Sequence, residues 1–180
     1  MAYGAPFEIR DQRLRPPCSA LFRWRRESPK ALDVLAQLFK ESETEALFNF
    51  FAKRWLSQVR SQDLVKDLVL VPLPSSTGRR HSKNWAQALS RLSGFEVWDG
   101  LELVDPRRQA SQRRAQRQAR WIRPSPGRKK LPSYKSVLFV DDIITTGATM
   151  NAAQRALEGC SRHYGVALFH RELSIDFASS

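Results

Sequence analysis

Two adjacent carboxylates, Asp141 and Asp142, lie between a short apolar run and a loop of small, hydroxyl-bearing residues. The run Val137–Val140 is continuously apolar, which is typical of a strand buried on both faces of a parallel sheet. We expect this strand to end at the two acids. Ligands of open parallel sheets bind outside the carboxyl ends of the strands, so the sequence predicts that the two acids face a ligand.

The residues after the acids have the composition of a phosphate-binding loop, with a glycine among hydroxyls just before a stretch of helical character. The predicted loop residues are Thr145, Thr146, Gly147, Ala148 and Thr149. Unpaired backbone N–H groups and the helix dipole both favour an anion at a helix N-terminus. Two acids alone are more often helix caps or partners of arginine. The whole pattern from Val137 to Thr149 is far more specific than two acids alone.

A second candidate anion site follows another predicted buried strand, Asp67–Pro74. Its candidate residues are Ser75, Ser76, Arg79 and Arg80. Such a loop can offer backbone amides together with mobile positive charge. The same residue types also fill ordinary surface turns, so a role in binding depends on this strand lying beside the strand of the acids.

The elements that must position these loops follow from hydrophobic periodicity. Helices are predicted after Ser28-Pro29, over Leu47–Val59, over Asn84–Leu92 with an end at Gly94, and over Ala148–Glu158. Strands are predicted over Ala20–Trp24, Asp67–Pro74, Phe95–Val104, Ser136–Val140 and Tyr164–His170. A strand, helix and strand in succession form a right-handed crossover, so we expect an α/β fold with a mostly parallel, twisted sheet flanked by helices.

Length and composition favour one domain over residues 1–180, with an irregular segment at 1–29. A chain of 180 residues with 42% hydrophobic content can bury one core. The absence of a long apolar run or a secretory signal predicts a cytoplasmic protein without membrane insertion. Cys18 and Cys160 form no metal-ligand cluster, and no G-x-x-x-x-G-K-[ST] or G-x-G-x-x-G motif occurs, so zinc, P-loop and dinucleotide sites are not predicted.

The net charge of +12 is concentrated in the stretch Pro106–Lys130, which holds no acid. Its cations are Arg107, Arg108, Arg113, Arg114, Arg117, Arg120, Arg123, Arg128, Lys129 and Lys130. We expect an exposed excursion and leave three interpretations open: a solvated loop, a surface for single-stranded nucleic acid, or a lid over the acids. The lid interpretation rests on Arg107, Arg108 or Arg120.

The pattern Val137–Thr149 resembles the phosphoribosyl pyrophosphate (PRPP) signature of the type I phosphoribosyltransferases, and the order of parts resembles the ComF family, which is linked to DNA uptake in competent bacteria. Further matching parts are Leu38-Phe39-Lys40, Val71-Pro72-Leu73-Pro74 with its basic loop, Asn84, Arg107, Arg108, Gln112 and Arg120. Two features depart from the family. The CxxC…CxxC zinc module is missing, so no protein metal site is expected, and the usual Arg-Gly-Phe-Asn appears as His81-Ser82-Lys83-Asn84.

The resemblance implies a type I phosphoribosyltransferase-like fold and a role for each predicted site residue. Asp141 and Asp142 would bind the ribose hydroxyls as the catalytic pair, while Thr145–Thr149 would wrap the 5′-phosphate. The pyrophosphate would lie against Ser75, Ser76, Arg79 and Arg80. Mg²⁺ would be held mainly through the oxygens of PRPP.

Two classes of function remain open at this point. One is a Mg²⁺-dependent transferase that moves phosphoribose from PRPP to an unidentified acceptor. The other is a binding protein on the same scaffold, which senses a ribose 5-phosphate ligand or holds single-stranded DNA. No stretch identifies an acceptor or a general base, and His81, His163 and His170 are candidates by residue type alone. The oligomeric state is also open, with a homodimer as one arrangement.

Overall fold

The computed structural model describes residues 6–25, 30–41, 45–59, 67–75, 78–104, 122–133 and 135–172. Its helices are α1 (Lys30–Glu41), α2 (Glu45–Leu56), α3 (His81–Ser93) and α4 (Ala148–Ala156). Its strands are β1 (Phe7–Glu8), β2 (Cys18–Trp24), β3 (Leu68–Pro72), β4 (Glu96–Val97), β5 (Leu101–Leu103), β6 (Ile122–Pro124), β7 (Ser136–Ile144) and β8 (Arg162–Arg171). In this part of the chain no helix has the length and apolar character needed to cross a membrane.

A six-stranded sheet with the order β1-β2-β8-β7-β3-β4 forms the centre of the molecule. Strands β2, β8, β7, β3 and β4 run parallel, and only β1 pairs antiparallel with its neighbour β2. A separate hairpin joins β5 to β6. The observed sheet confirms the predicted fold class, a mostly parallel α/β arrangement flanked by helices.

The central strand β7 is apolar because both of its faces are covered. Leu138 and Val140 belong to a core that also contains residues of α2 and α3. Val137 and Phe139 belong to the opposite core, which contains residues of α4. Alternate side chains of a strand point to opposite faces, so a continuous apolar run is what this three-layer packing requires.

Helix α3 begins earlier than the sequence predicts. Its first residue is His81, three positions before Asn84, and it ends at Gly94, where a φ of 77° allows the backbone N–H to bond to the carbonyl of Ser90. The glycine end was predicted correctly. The early start places His81 and Ser82 in the first turn of the helix.

Two predicted boundaries are wrong. Strand β7 does not end before the acids but continues to Ile144, because β8 is long enough to pair with Asp141, Ile143 and Ile144. The single strand predicted over Phe95–Val104 is divided between two sheets, β4 beside β3 and β5 in the hairpin.

Candidate functional site

A cleft of about 380 Å³ opens at the carboxyl ends of the parallel strands. The loops after β3 and β7 contribute to its walls, as do the first turn of α3 and the last residues of β2 and β8. Asp141 and Asp142 lie in it together with the whole loop Thr145–Thr149. The two groups that the sequence predicts to act together therefore share one cavity.

The two acids are held by the first turn of α3. The Ser82 hydroxyl donates to Oδ1 of Asp141 over 3.2 Å, and Nδ1 of His81 lies 3.2 Å from Oδ2 of Asp142. Backbone amides hold the other side, since Asp142 N–H donates to Oδ1 of Asp141 and Ile143 N–H donates to Oδ1 of Asp142. The carboxylates are fixed in place while Asp142 keeps 30% of its side chain exposed to the cleft.

The environments of the two acids move their pKa values in opposite directions. Burial raises the pKa of Asp141 well above its ordinary value, and the neighbouring charge of Asp142 adds to this effect. Burial also disfavours the charged form of Asp142, but hydrogen bonds from His81 and Asp141 outweigh it and lower the pKa of Asp142. Asp141 therefore keeps a proton to higher pH, whereas Asp142 is the member of the pair that stays charged.

The predicted loop Thr145–Thr149 includes the start of α4, which begins at Ala148 and whose first turn contains no acid. Gly147 occupies the N-cap position with a φ of +73°, a conformation that glycine adopts without steric cost. The Ala148 N–H lies 3.4 Å from Oγ1 of Thr146. A helix whose N-terminus lies at the wall of a polar cleft favours the binding of an anion there.

The segment Asp11–Arg15 packs behind this loop, which the sequence did not predict. A Cβ at position 147 would overlap the side chain of Leu14, so the two backbones approach closely there. Asn151 of α4 bonds to the same segment twice, accepting from the Arg15 N–H at 2.9 Å and donating to the Arg13 carbonyl at 2.5 Å. These contacts tie the loop and the start of α4 to the segment Asp11–Arg15.

The second predicted anion loop is divided by the structure. Ser75 and Arg79 line the cleft. Arg80 does not: it precedes α3 and lines a separate depression of about 200 Å³ with Asn84 and residues of α2. Ser76 lies outside the described residues, and β3 does pair directly with β7, as binding by this loop would require.

Most of the predicted basic stretch also lies outside the described residues. This holds for Arg107, Arg108, Arg113, Arg114, Arg117 and Arg120. In the described remainder, Arg123 bonds to Glu102 across the hairpin at 2.8 Å. Arg128, Lys129 and Lys130 are exposed.

The sequence also missed two residues at the far wall of the cleft. Trp24 and Arg171 end β2 and β8, and the Arg171 guanidinium lies 5.1 Å from the centre of a Trp24 ring. They are 147 positions apart, and no local pattern indicates their contact.

The three histidines have different surroundings. His81 is buried against Asp142 and lies in the candidate site. The sequence named it as a possible general base by residue type alone. His163 stacks on Phe139 at 5.8 Å and contacts the Leu157 carbonyl. His170 is buried beside Phe7, which together with the packing of His163 agrees with a structural role for both.

No family model matches the chain. Among curated proteins the chain is similar to the Competence protein ComFC of Streptococcus pneumoniae (strain ATCC BAA-255 / R6), with 28% identity over 137 residues. The match covers 73% of this chain and 62% of that protein, so the chain spans less than two thirds of its relative's length.

Proposed function

We propose, from the premise that this chain is a ComF-type protein, that its cleft binds PRPP with Mg²⁺ and that it acts as a phosphoribosyltransferase in a process related to competence. The ComF relationship predicted from the sequence agrees with the similarity to ComFC. The observation that carries the proposal is the convergence of two fixed carboxylates and an anion loop in one cleft. That combination suits a ligand with vicinal hydroxyls at one position and a phosphate at another.

The acids act on the ribose. A carboxylate that stays charged, as the lowered pKa of Asp142 favours, accepts hydrogen bonds from ribose hydroxyls and places negative charge under the ring. This charge stabilises the ring as it becomes oxocarbenium-like when pyrophosphate leaves C1. Asp141, with its raised pKa, can donate a hydrogen bond while it is protonated. The first turn of α3 keeps both acids oriented, so little reorganisation is needed during the reaction.

The loop Thr145–Thr149 acts as an anchor for the 5′-phosphate. Its hydroxyls and the start of α4 supply hydrogen-bond donors at a site remote from the bond that breaks. Binding energy there can hold the sugar in a reactive orientation. Ser75 and Arg79, in the loop after β3, line the same cleft and would contact the pyrophosphate.

The residues of the cleft fit a magnesium ion that is held mainly by its ligand. Among the described residues there is no group of three or more His, Cys, Asp or Glu side chains that could hold a metal. The two carboxylates in the cleft are nevertheless oxygen donors of the kind that Mg²⁺ accepts alongside phosphate oxygens and water. When bound, the ion would neutralise charge on the departing pyrophosphate.

The experiment that tests this function is incubation with PRPP, Mg²⁺ and a panel of free bases and single-stranded nucleic acids, with pyrophosphate release as the readout. We expect release that depends on one acceptor and is abolished when EDTA removes Mg²⁺. PRPP binding without release for any acceptor would favour the binding-protein alternative. Absence of PRPP binding would contradict the proposal.

A second candidate function, binding of single-stranded nucleic acid, is favoured by one described surface. Arg128 and Lys130 line a cavity of about 520 Å³ with Trp98, whose Nε1 donates to the Lys129 carbonyl. Cations beside an aromatic ring suit phosphates and unpaired bases. Replacing Arg128, Lys129 and Lys130 by Ala should flatten the salt dependence of single-stranded DNA binding, and an unchanged slope would contradict a contact at this surface.

A further inference from the structure

The segment Asp11–Arg15 is a short loop that the sheet holds in a defined position. It lies between β1 and β2, and the pairing of these strands continues at its base, where the Ile9 N–H donates to the Cys18 carbonyl at 2.8 Å. Within the segment, the Arg13 guanidinium donates to both carboxylate oxygens of Asp11, at 2.9 Å and 2.6 Å. The shape of the segment is therefore set by its own bonds and by the strands on either side.

Three successive residues of this segment contact the start of α4 and the loop before it. Leu14 lies so close to Gly147 that a Cβ on this glycine would come within 2.3 Å of the Leu14 side chain. On either side of Leu14, the Asn151 side chain accepts from the Arg15 N–H at 2.9 Å and donates to the Arg13 carbonyl at 2.5 Å. The Asn151 backbone N–H in turn donates to the Gly147 carbonyl at 2.9 Å. One residue of α4 therefore joins the loop to the segment.

The residue type of Asn151 suits this double contact. A side-chain amide carries a donor and an acceptor side by side, as a peptide group does, and it meets the carbonyl of Arg13 and the N–H of Arg15 as a neighbouring strand would. A carboxylate would offer no donor to the carbonyl, and an alkyl side chain would offer neither group. Loss of this amide would leave both backbone groups without the partner that the structure gives them.

We propose that the segment Asp11–Arg15 positions the loop for the 5′-phosphate through Leu14 and Asn151, and that seating of the segment is coupled to phosphate binding. This inference rests on the function proposed above. Gly147 is the N-cap of α4, so a displacement of this glycine also displaces the N–H groups that would meet the phosphate. The coupling is reciprocal: a segment that favours the binding-competent loop is itself held more firmly when phosphate is bound.

Hydrogen exchange of the full chain tests the coupling without any substitution. The probe is ribose 5-phosphate, and the groups observed are the amides of residues 13–15, above all the Arg15 N–H that donates to Asn151. We expect saturating ribose 5-phosphate to slow their exchange, whereas the amides of β4, at the opposite edge of the sheet from β1, should keep their rates. Unchanged exchange at residues 13–15 would contradict the coupling.

Two substitutions separate positioning from stability. Leu14→Ala and Asn151→Ala alter the contacts between the segment and the loop, and neither side chain lines the cleft. At a temperature where circular dichroism shows each variant to be folded, calorimetry should show that ribose 5-phosphate binds about tenfold more weakly. Mg²⁺-pyrophosphate, which would contact Ser75 and Arg79 instead, should bind with unchanged affinity. An equal fall for both ligands would indicate a general loss of structure and would contradict the positioning role.

The matched control is Gln154→Ala, which removes another amide side chain from α4, three residues after Asn151, and should leave both affinities unchanged. If ribose 5-phosphate binds the wild type and the two segment variants equally, the positioning role is wrong and the proposed function stands. If ribose 5-phosphate does not bind the wild type, both are wrong.

Discussion

The two ends of the central sheet carry different cavities built by the same strands. At the carboxyl ends, the cleft of about 380 Å³ is lined by acids, hydroxyls and cations. At the amino ends, a larger cavity of about 660 Å³ is lined largely by apolar side chains, among them Trp55, Leu68 and Leu138. Strand β7 contributes Leu138 to one end and its two acids to the other.

The comparison shows that the two cavities differ in chemistry as well as in volume. What distinguishes the carboxyl ends is that helices begin there: α3 brings His81 and Ser82 to the acids, and α4 begins at the loop Thr145–Thr149. Helix starts provide backbone donors and a favourable dipole, which the amino ends of the same strands lack. We therefore propose the polar end, and not the apolar end, as the ligand site.

The largest expected effect is a loss of stability without a loss of binding. Leu138→Ala removes a buried side chain at the amino end and should lower the free energy of unfolding by about 2–5 kcal/mol. Denaturant unfolding measures the loss, and calorimetry should give an unchanged affinity for Mg²⁺-PRPP at a temperature where the variant is folded. A matching fall in affinity would remove the distinction between the two ends.

A smaller loss of stability accompanied by a loss of binding is expected at the carboxyl end. Gly147→Ala forces a left-handed conformation that costs about 1–2 kcal/mol and also crowds Leu14, so the phosphate loop should shift and PRPP should bind more weakly. The matched control is Gly127→Ala, where φ is +81° but no atom lies within 4 Å of the added Cβ. If both variants bind PRPP equally well, the close contact with Leu14 does not position the loop.

The smallest expected effects are opposite changes in stability within the acidic pair. The pKa of Asp141 is higher in the folded protein than its ordinary value of 3.8, so the fold loses stability as pH rises from 3.8 to the raised pKa. Asp141→Asn removes this effect and should therefore stabilise the fold at neutral pH. The lowered pKa of Asp142 means that its charge stabilises the fold above 3.8 and that this contribution is lost as pH falls through the lowered value. Asp142→Asn should therefore destabilise the fold at neutral pH.

Thermal unfolding of both variants at neutral pH, and again at a pH below the lowered pKa of Asp142, measures this difference. Both differences from the wild type should become small at the acidic pH, where each carboxyl is protonated in either state. Shifts of the same sign at neutral pH would mean that the two environments do not differ in the way their hydrogen bonds indicate.

The sequence predicts the strands and loops better than the contacts that complete the cleft. Apolar runs identify β3 and β7, and Gly94 identifies the end of α3, because burial and backbone conformation leave local patterns. The contacts of Ser82 with Asp141 and of Arg171 with Trp24 join distant parts of the chain, and only the packing of the sheet brings them together.

The extension of β7 through the acids has a similar cause. A polar pair after an apolar run is ordinarily read as a strand end, but pairing with the long strand β8 continues the ladder past them to Ile144. Arg80 was likewise predicted to bind an anion beside the acids, but it lines a separate depression with Asn84. Residue type alone does not reveal this position.

The most direct test of the assignment is a calorimetric titration of Mg²⁺-PRPP into the wild type and into the double variant Asp141→Asn/Asp142→Asn. Both substitutions keep side-chain size while removing charge, so the fold should persist. We expect the wild type to bind and the double variant to lose about two orders of magnitude in affinity, as the loss of the charged acceptor at Asp142 and of the carboxyl group of Asp141 implies. Equal affinity in the two proteins would contradict the assignment of the carboxyl-end cleft.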